Sequence, residues 1–299
     1  MSNKSFELRL NDVRGVMLNS LRPTALGALS AELRGVLSAG KMLRARLILR
    51  LGPATGLNAG TQVLTAAAVE MIHAASLLHD DVIDGSELRR GAPSFWITRG
   101  VSGAILLGDL LVCRTFRELN ANCPQLVSPL LRFMEEMCDA ETEQELLLRN
   151  TAPDWPKCVN LARRKTGSLF AFAGYACGQN DAELCEALQE AGYVIGTAYQ
   201  LADDVLDATG DPAAADKTLG TDALNGKLTA VSAWAGPSSA RETRPANLGR
   251  YVGQLCAGTG KTLRPWPTVE EAWNEYMALD MLPAIAAMTE LLPAAEAVK

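Results

Sequence analysis

Residues that support several common functions are scarce in this chain of 299 residues. It has only two histidines, and none of its seven cysteines forms a CxxC pair, so a zinc site is not expected. The formal net charge is −6, which argues against nucleic acid as the main partner, whereas local basic clusters remain able to bind small anions.

The sequence also lacks patterns for secretion or membrane insertion. Its first fifteen residues, MSNKSFELRLNDVRG, carry charges throughout and have no apolar centre of the kind found in signal peptides. No uncharged apolar run reaches the roughly 18 residues that a membrane span needs, because the longest candidate, residues 61–81, contains Glu70 and His73. We therefore expect a cytoplasmic protein with free, reduced thiols and no transmembrane segment.

Alternation of apolar and polar residues with β-branched enrichment is missing too, so strands are not expected. Segments rich in Ala and Leu, with few Gly or Pro, predict helices instead. They cover residues 61–84, 103–119, 128–148, 158–174, 185–207 and a tail that begins at Pro267. We predict an all-α, single-domain helical bundle, with the polar stretch from Gly236 to Asn247 as a loop.

What the chain does contain is a pair of short acidic motifs, HDDVID and ADDVLD, each of the form DDxxD and each after an apolar helical segment. Residues four apart share a helix face, so Asp80 points the same way as Asp84, and Asp203 the same way as Asp207. Such pairs repel each other by roughly 0.2–0.5 kcal/mol on an exposed helix, and by more in an apolar setting. One motif alone is typical of a solvated helix end. Two of them, facing each other across a bundle, predict a magnesium site completed by substrate phosphates.

Basic residues flank both acidic motifs. Guanidinium groups suit phosphate oxygens, and lysine acts as a mobile point charge. Any one of these residues alone is typical of a solvated surface. Their position around both motifs indicates that carboxylates bind metal, metal binds diphosphate, and cationic side chains bind the remaining oxygens. The residues are Lys41, Arg44, Arg46, Arg89, Arg90, Lys165, Lys217 and Lys227, with Thr166 beside Lys165.

With these motifs, the sequence resembles the trans-isoprenyl diphosphate synthases (polyprenyl synthetases) from about Gly40 to Thr229. The resemblance rests on GKMLR, MIHAASLLHDDVIDGSELRRG, LLGDLL, RRKTGSLF, YQLADDVLD and KTLGTDALNGKLT, in the order of the family. It implies a helical bundle of the isoprenoid synthase type with a central apolar cavity, usually as a homodimer. It also implies three magnesium ions and head-to-tail condensation of isopentenyl diphosphate with an allylic diphosphate, which gives a longer all-trans polyprenyl diphosphate.

The resemblance also implies roles for individual residues. The magnesium ligands are expected to be Asp80 and Asp84 for two ions and Asp203 for the third, with Asp207 in support. The allylic diphosphate site is expected to contain Arg89, Lys165, Thr166, Lys217 and Lys227, with Gln200 near the allylic group. The isopentenyl diphosphate site is expected to contain Lys41, Arg44, His73 and Arg90. The predicted catalytic residues are Asp80, Asp84, Asp203, Lys165 and Lys217. Asp81 and Asp204 are expected to support them, and His79 to be structural.

The reaction that suits these residues is ionisation of the allylic diphosphate, because metal and cationic side chains stabilise the charge on the leaving group. No side-chain nucleophile is required, and the released diphosphate can accept the proton. Ala75 and Ser76, about one helical turn before Asp80, are both small. If they line the floor of the pocket, they leave room for a long chain, so we predict a product of twenty carbons or more.

Two parts of the chain depart from the family pattern. Ala45 replaces the usual proline, and after Thr229 the chain lacks the usual helix that begins with Leu-Pro. We therefore treat residues 1–299 as one domain with a divergent C-terminal part from about residue 230. The segment GTGKT, which ends at Thr262, lacks the first glycine of a phosphate-binding loop and is predicted to be a turn.

Two other functions are compatible with parts of the pattern. A class I terpene cyclase also uses DDxxD and magnesium, but it would normally carry an Asn/Ser/Glu motif in place of the second DDxxD and needs no isopentenyl diphosphate site. A non-catalytic subunit that regulates an active prenyl synthase commonly lacks one aspartate motif. Because both motifs are complete here, the sequence favours a prenyltransferase.

Overall fold

The computed structural model of the chain describes residues 3–38, 40–210, 219–234 and 244–289. This part of the chain is almost entirely helical, which confirms the predicted all-α class. The α-helices are α1 (Asn3–Leu21), α2 (Ser30–Ser38), α3 (Leu43–Ala54), α4 (Ala59–Ile83), α5 (Phe95–Asn122), α6 (Val127–Leu146), α7 (Trp155–Ala162), α8 (Ser168–Gly178), α9 (Ala182–Thr209), α10 (Thr221–Leu224), α11 (Ala230–Ala233), α12 (Arg244–Gly258), α13 (Pro267–Tyr276) and α14 (Leu282–Thr289).

Shorter helical turns of other types connect some of these helices. The 3₁₀ turns span Ala25–Leu29, Pro124–Leu126 and Thr259–Leu263. Two π turns span Arg163–Gly167 and Met277–Met281. The first π turn separates α7 from α8, so the helix predicted over residues 158–174 consists of three pieces.

The acidic motifs lie on two long core helices, α4 and α9. Helix α4 packs against α3 and α5, and α9 packs against α8 and α12, while α3 also contacts α8. Their apolar side chains belong to one continuous core that includes the fully buried rings of Phe133, Phe170 and Phe172. Both motifs are therefore attached to the rigid centre of the bundle.

Local sequence signals fix both ends of α4. The side chain of Asn58 accepts a hydrogen bond from the backbone N–H of Gly60 at 2.8 Å and so caps the first turn. At the other end, Gly85 has a left-handed backbone with φ of 64°. The N–H of Ser86 then reaches the carbonyl of Asp81 at 2.9 Å, which is the hydrogen bond of a Schellman C-terminus.

The structure corrects two sequence-based expectations. Strands were not expected, but Leu88–Arg89 pairs antiparallel with Ala92–Pro93 around a tight turn. The stretch from Gly236 to Asn247 was expected to be a loop, but Arg244 already begins α12, and residues 235–243 lie outside the described part. The strand pair forms for a local reason, because positive φ at both central residues of the turn lets two-residue strands pair.

Two smaller expectations agree with the structure. All seven cysteines are free thiols, and only Cys113 and Cys138 are exposed. The segment GTGKT ends α12 and continues as the 3₁₀ turn Thr259–Leu263.

Helices α4 and α5 are both long and apolar enough to cross a membrane by length and composition alone. In α4, 67% of the apolar window is buried inside the protein, as expected of a core helix, whereas in α5 only 28% is buried. The exposed apolar residues of α5 include Ile97, Val101, Ile105 and Leu106, the last with 66% of its surface accessible. Helix α5 thus presents an apolar face that the rest of the described chain leaves uncovered.

The C-terminus of α4 gives a stability prediction with a matched control. We expect Gly85→Ala to lower the free energy of unfolding by about 1 kcal/mol, because a Cβ disfavours the left-handed conformation. The same change at Gly15, inside α1 with no atom within 4 Å of the added Cβ, should raise it by about 0.5–1 kcal/mol. Urea denaturation of both variants measures the two effects. Equal effects of the same sign would contradict the capping role of Gly85.

Candidate active site between two aspartate motifs

The two acidic motifs occupy the C-terminal turns of their helices. Asp80 lies in the last turn of α4, and Asp84 is the residue that caps it. Asp203 and Asp207 lie in the last two turns of α9, which ends at Thr209. The C-terminus of a helix carries a partial negative charge, so carboxylates there are unfavourable unless cations lie close to them.

The protonation of Asp80 is affected by this concentration of negative charge. Burial is the main reason that its pKa is raised, to about 7, and the negative charges of Glu141 and Asp84 raise the pKa further. The positive charges of Lys165 and Lys227 act in the opposite direction. A carboxyl group in these surroundings ionises readily only if another cation reaches it.

Lys165 reaches the first motif from the π turn that follows α7. Its Nζ lies 2.5 Å from Glu141 Oε2 and donates a hydrogen bond to Gln144 Oε1 at 3.1 Å, both on α6. Burial alone would lower the pKa of Lys165, but the charges of Asp80 and Glu141 outweigh it and raise this pKa. Lys165 therefore remains an ammonium ion inside the site.

Lys227 reaches the same motif from the segment after α10. Its Nζ lies 2.5 Å from Asp84 Oδ1 and 3.5 Å from Glu145 Oε1. The backbone beside it is attached to the end of α6, because the N–H of Asn150 donates to the carbonyl of Gly226 at 2.8 Å. Gly226 has φ of 64°, and a Cβ there would come within 2.1 Å of the Asn150 amide. Only glycine allows this approach.

Arg89 pairs with the first motif and feels the charge of the second. It lies in the short hairpin after α4 and donates from Nε to Asp81 Oδ1 at 2.9 Å. Burial would lower the pKa of Arg89, but the hydrogen bond and charge of Asp81, together with the charges of Asp80 and Asp203, raise it. The direct contact is therefore with the α4 motif, and Asp203 of the α9 motif acts on Arg89 through its charge.

The second motif is also held by hydrogen bonds. Thr166 donates to Gln200 Oε1 at 2.5 Å, and Gln200 donates to Asp204 Oδ1 at 2.8 Å. The other oxygen of Asp204 accepts the N–H of Ala230, the first residue of α11. Burial and the charge of Asp222 raise the pKa of Asp204 to about 7. Asp204 therefore ties α9 to α11.

A second cluster of positive charge lies on the other side of Arg89. Arg44 is buried in α3, with its guanidinium 4.5 Å from the centre of the Phe170 ring and its Nε without a hydrogen bond within the described residues. Burial, and then the charges of Arg44, Arg90 and Arg89, lower the pKa of His73 well below its usual value, so this imidazole is neutral. Three guanidinium groups and a neutral imidazole thus converge on one region.

The turn of the hairpin directs Arg90 toward this cluster. Arg90 has φ of 56° and Gly91 has φ of 71°, a pair of values typical of a two-residue hairpin turn. The Arg90 guanidinium donates to the carbonyl of Val36 at the end of α2 and leaves no room for a Cβ at Gly40, the nearest atom being 2.6 Å away. Lys41 follows directly and is exposed.

The structure therefore brings most of the predicted site residues together. Arg46 is an exception, because it binds Glu7 at 3.1 Å and Asp280 at 3.0 Å on another side of α3. Lys217 lies outside the described residues. His79, which was expected to be structural, has its Nε2 3.3 Å from the carbonyl oxygen of Ile105 on α5.

Sequence reasoning missed three acidic residues of the site. Glu141 and Glu145 lie four residues apart on α6, and Asp222 lies in α10. Burial, and then the charge of Asp207, raise the pKa of Asp222 to about 6. The signal available in the sequence was the acidic spacing of α6, which repeats the i,i+4 pattern of the DDxxD motifs.

The donor chemistry of this site fits magnesium. Its acidic side chains offer carboxylate oxygens, which hard divalent cations prefer, and Asp80 and Asp84 lie one helical turn apart at the end of α4. Among the described residues, no three His, Cys, Asp or Glu side chains converge as a complete metal site would require. Magnesium typically takes one or two protein carboxylates and completes its shell with water and phosphate.

One small cavity lies beside these groups. Its volume is about 30 Å³, and its lining includes Lys165, Gln200, Asp204, Asp222 and Thr229. It is polar and has room for about one water. The large apolar cavity that the resemblance implies stays a prediction.

Known proteins match this chain over most of its length. The model of the polyprenyl synthetase family matches residues 28–251. Over 202 residues the chain is 33% identical to the geranylgeranyl diphosphate synthase of Methanosarcina mazei, covering 64% of this chain and 62% of that protein. Over 203 residues it is 34% identical to the octaprenyl diphosphate synthase of Haemophilus influenzae, covering 64% and 59%. The chain thus matches less than two thirds of the length of these relatives.

Solved structures show the same fold. A polyprenyl synthase from Caulobacter crescentus superposes with a TM-score of 0.72 and 27% identity, covering 96% of this chain and 94% of that one. A decaprenyl diphosphate synthase from Rhodobacter capsulatus superposes with a TM-score of 0.75 and 22% identity, covering 95% and 98%. Because the family model spans well over half of the sequence, and the fold agrees with it, the chain belongs to the polyprenyl synthetase family.

Proposed function

We propose that this chain is a magnesium-dependent prenyltransferase that joins isopentenyl diphosphate head to tail to an allylic diphosphate. The observation that carries the proposal is the DDxxD end of α4 with Arg89, Lys227 and Lys165 beside it, each paired with a carboxylate of that motif or of α6. The relatives of this chain are prenyl diphosphate synthases, which supports chain elongation over cyclisation or a purely regulatory role.

The metal ligands are proposed to come from the two helix ends. Asp80 and Asp84 would hold magnesium on the side of α4, and Asp203, supported by Asp207, on the side of α9, three ions in all. The Caulobacter polyprenyl synthase was solved with calcium and isoprenyl diphosphate, which supports a divalent cation with a prenyl diphosphate. When bound, magnesium draws charge onto the diphosphate and so favours cleavage of the allylic C–O bond.

The cations of the site neutralise the leaving group. Lys165, Lys227 and Arg89 are buried or partly buried and charged, so in a water-poor site they stabilise the developing negative charge without reorganisation. Thr166 and Gln200 lie next to Lys165, and we include them, with Lys217, in this binding site. No side-chain base is required, because the departing diphosphate can accept the proton.

The second cluster is proposed to hold isopentenyl diphosphate. Arg44, Arg90 and Lys41 supply positive charge, and neutral His73 supplies a hydrogen-bond donor rather than a charge. Glu70 accepts a hydrogen bond from the backbone N–H of Ala45 at 3.0 Å, and burial raises the pKa of its carboxyl, against the charge of Arg44. An anion entering this region meets an excess of donors.

Product length depends on the residues below the first motif. Ala75, just before the last two turns of α4, is buried and small, and Ser76 is half-buried, with its hydroxyl donating to the carbonyl of His73. Small side chains leave space for a growing chain, so we propose a product of twenty carbons or more. Relatives named for geranylgeranyl, octaprenyl and nonaprenyl products support this range.

We also propose that the chain is a homodimer that buries the exposed face of α5. Val101 and Ile105 lie one turn apart beside Leu106, and each is more than two fifths exposed. Contiguous exposed apolar surface marks an interaction site. A second copy of the chain is the occupant that the family resemblance implies.

We also propose, from the composition of the sequence, that the protein is located in the cytoplasm.

The function is tested with labelled isopentenyl diphosphate, magnesium and allylic primers of several lengths. We expect chain-elongated diphosphates of twenty carbons or more. Asp80→Asn and Asp203→Asn should each lower kcat at least a hundredfold, in line with the loss of one group that stabilises the transition state. Asp12→Asn, an exposed change on α1, is the control and should have no effect. Release of hydrocarbon from geranyl diphosphate alone would indicate a cyclase instead.

Magnesium binding should depend on pH. A carboxyl group must lose its proton before it can bind metal. With a pKa of about 7, Asp80 is mostly protonated at pH 6 and mostly ionised at pH 8, so the apparent magnesium affinity should rise about tenfold over this range. Calorimetry in buffers of different ionisation enthalpy measures the released proton. An affinity that is constant from pH 6 to 8 would contradict the raised pKa.

The dimer proposal is tested by light scattering and vesicle binding. The wild-type chain should have twice its mass of 31.9 kDa, and Leu106→Glu should shift it toward the monomer with its helical content retained. Leu8→Glu, at a residue that is 59% exposed on α1, is the matched control and should remain dimeric. A monomeric wild type that binds lipid vesicles through α5 would replace the dimer with a membrane-surface role.

A further inference from the structure

Glu145 occupies an unusual position beside the proposed metal ligands. It lies one turn after Glu141 on α6, and only 10% of its side chain is exposed. One oxygen, Oε2, is paired with Arg149. The other, Oε1, is buried and has no hydrogen bond within the described residues, and Lys227 Nζ lies 3.5 Å away. A buried carboxylate oxygen without a hydrogen bond is unfavourable. Oε1 can therefore accept a hydrogen bond from a donor that moves within reach.

Lys227 would lose the carboxylate of Asp84 as its ion-pair partner when a metal ion binds. Its side chain is 3% exposed, and it is paired at 2.5 Å with Asp84, which is a proposed magnesium ligand. A buried ammonium ion must keep a negative partner. Once a divalent cation binds Asp84, the same carboxylate no longer offsets the charge of Lys227, and the two cations repel each other.

We propose that Glu145 is a positioning residue. Its carboxylate pairs with the Lys227 ammonium group when Asp84 binds the metal ion. A diphosphate that enters the site then replaces Glu145 as the partner of Lys227. This inference rests on the proposed function. A shift of less than about 1 Å would bring Nζ to hydrogen-bond distance from Oε1. The backbone of Lys227 need not move, because its neighbours Gly226 and Leu228 are hydrogen-bonded to Asn150, in the loop after α6, and to Gln144, in the last turn of α6.

The arrangement predicts opposite effects on two binding steps. Glu145→Gln removes the second of the two carboxylates that the described residues pair with Lys227, so magnesium alone should bind about tenfold more weakly. Inorganic pyrophosphate added at saturating magnesium should bind as tightly as in the wild type or several-fold more tightly, since it relieves an unpaired ammonium. General damage to the site would weaken both steps.

The experiment measures magnesium binding by calorimetry and pyrophosphate binding, at saturating magnesium, by the shift in melting temperature. Glu143→Gln is the matched control, because Glu143 lies two residues away on α6 and binds Arg164 instead; it should change neither constant. If Glu145→Gln does not fold, Glu145→Asp keeps the charge but retracts it from Lys227 and should weaken magnesium binding in the same direction.

Weakened magnesium binding together with unweakened pyrophosphate binding supports the positioning role. Equal weakening of both steps, or no change in either, overturns it. These measurements use no prenyl substrate, so they are separate from the test of the proposed function. A wild-type chain that elongates prenyl diphosphates while Glu145→Gln leaves magnesium binding unchanged would contradict this inference alone.

Discussion

The aspartates at the ends of α4 and α9 set the electrostatic problem that the rest of the site must solve. Each DDxxD motif adds negative charge to a helix C-terminus that is already partly negative. Burial against the apolar core makes that charge harder to solvate, which is why the pKa of Asp80 and that of Asp204 both rise to about 7. Stability and the proposed activity therefore both depend on positive charge at the junction of the two helices.

The chain supplies this charge from three separate directions. Lys165 comes from a π turn, Arg89 from a two-residue hairpin and Lys227 from a segment attached to the end of α6. Each of these cations is paired with a carboxylate, so none is left buried and unpaired. In the proposed function, the same pairing would make the cations available, because a metal ion would compete for the carboxylates and a diphosphate would compete for the cations. Metal and diphosphate are thus expected to favour each other's binding.

The helices and the DDxxD residues could be predicted because their signals are local. The i,i+4 spacing of Asp80 and Asp84, and the Ala- and Leu-rich segments before the motifs, are properties of a few turns. The partners could not be predicted in this way. Glu145 meets Lys227 across 82 residues of chain, and Arg46 meets Asp280 across 234, so only the folded bundle decides which cations face the site. The hairpin was missed for a different reason, since Arg90 is an uncommon residue for a left-handed turn position.

The π turn at Arg163–Gly167 has a consequence for how this region tolerates change in length. Its hydrogen bonds span five residues rather than four, so the stretch holds one residue more than a continuous α-helix would over the same rise. Losing a single residue here would close the turn into a regular α-helix, so α7 and α8 would keep their faces in the same relation to each other. Only the turn itself would change, and Lys165 and Thr166, which lie within it, would then meet other neighbours, so the extra residue serves the site rather than the packing of the two helices.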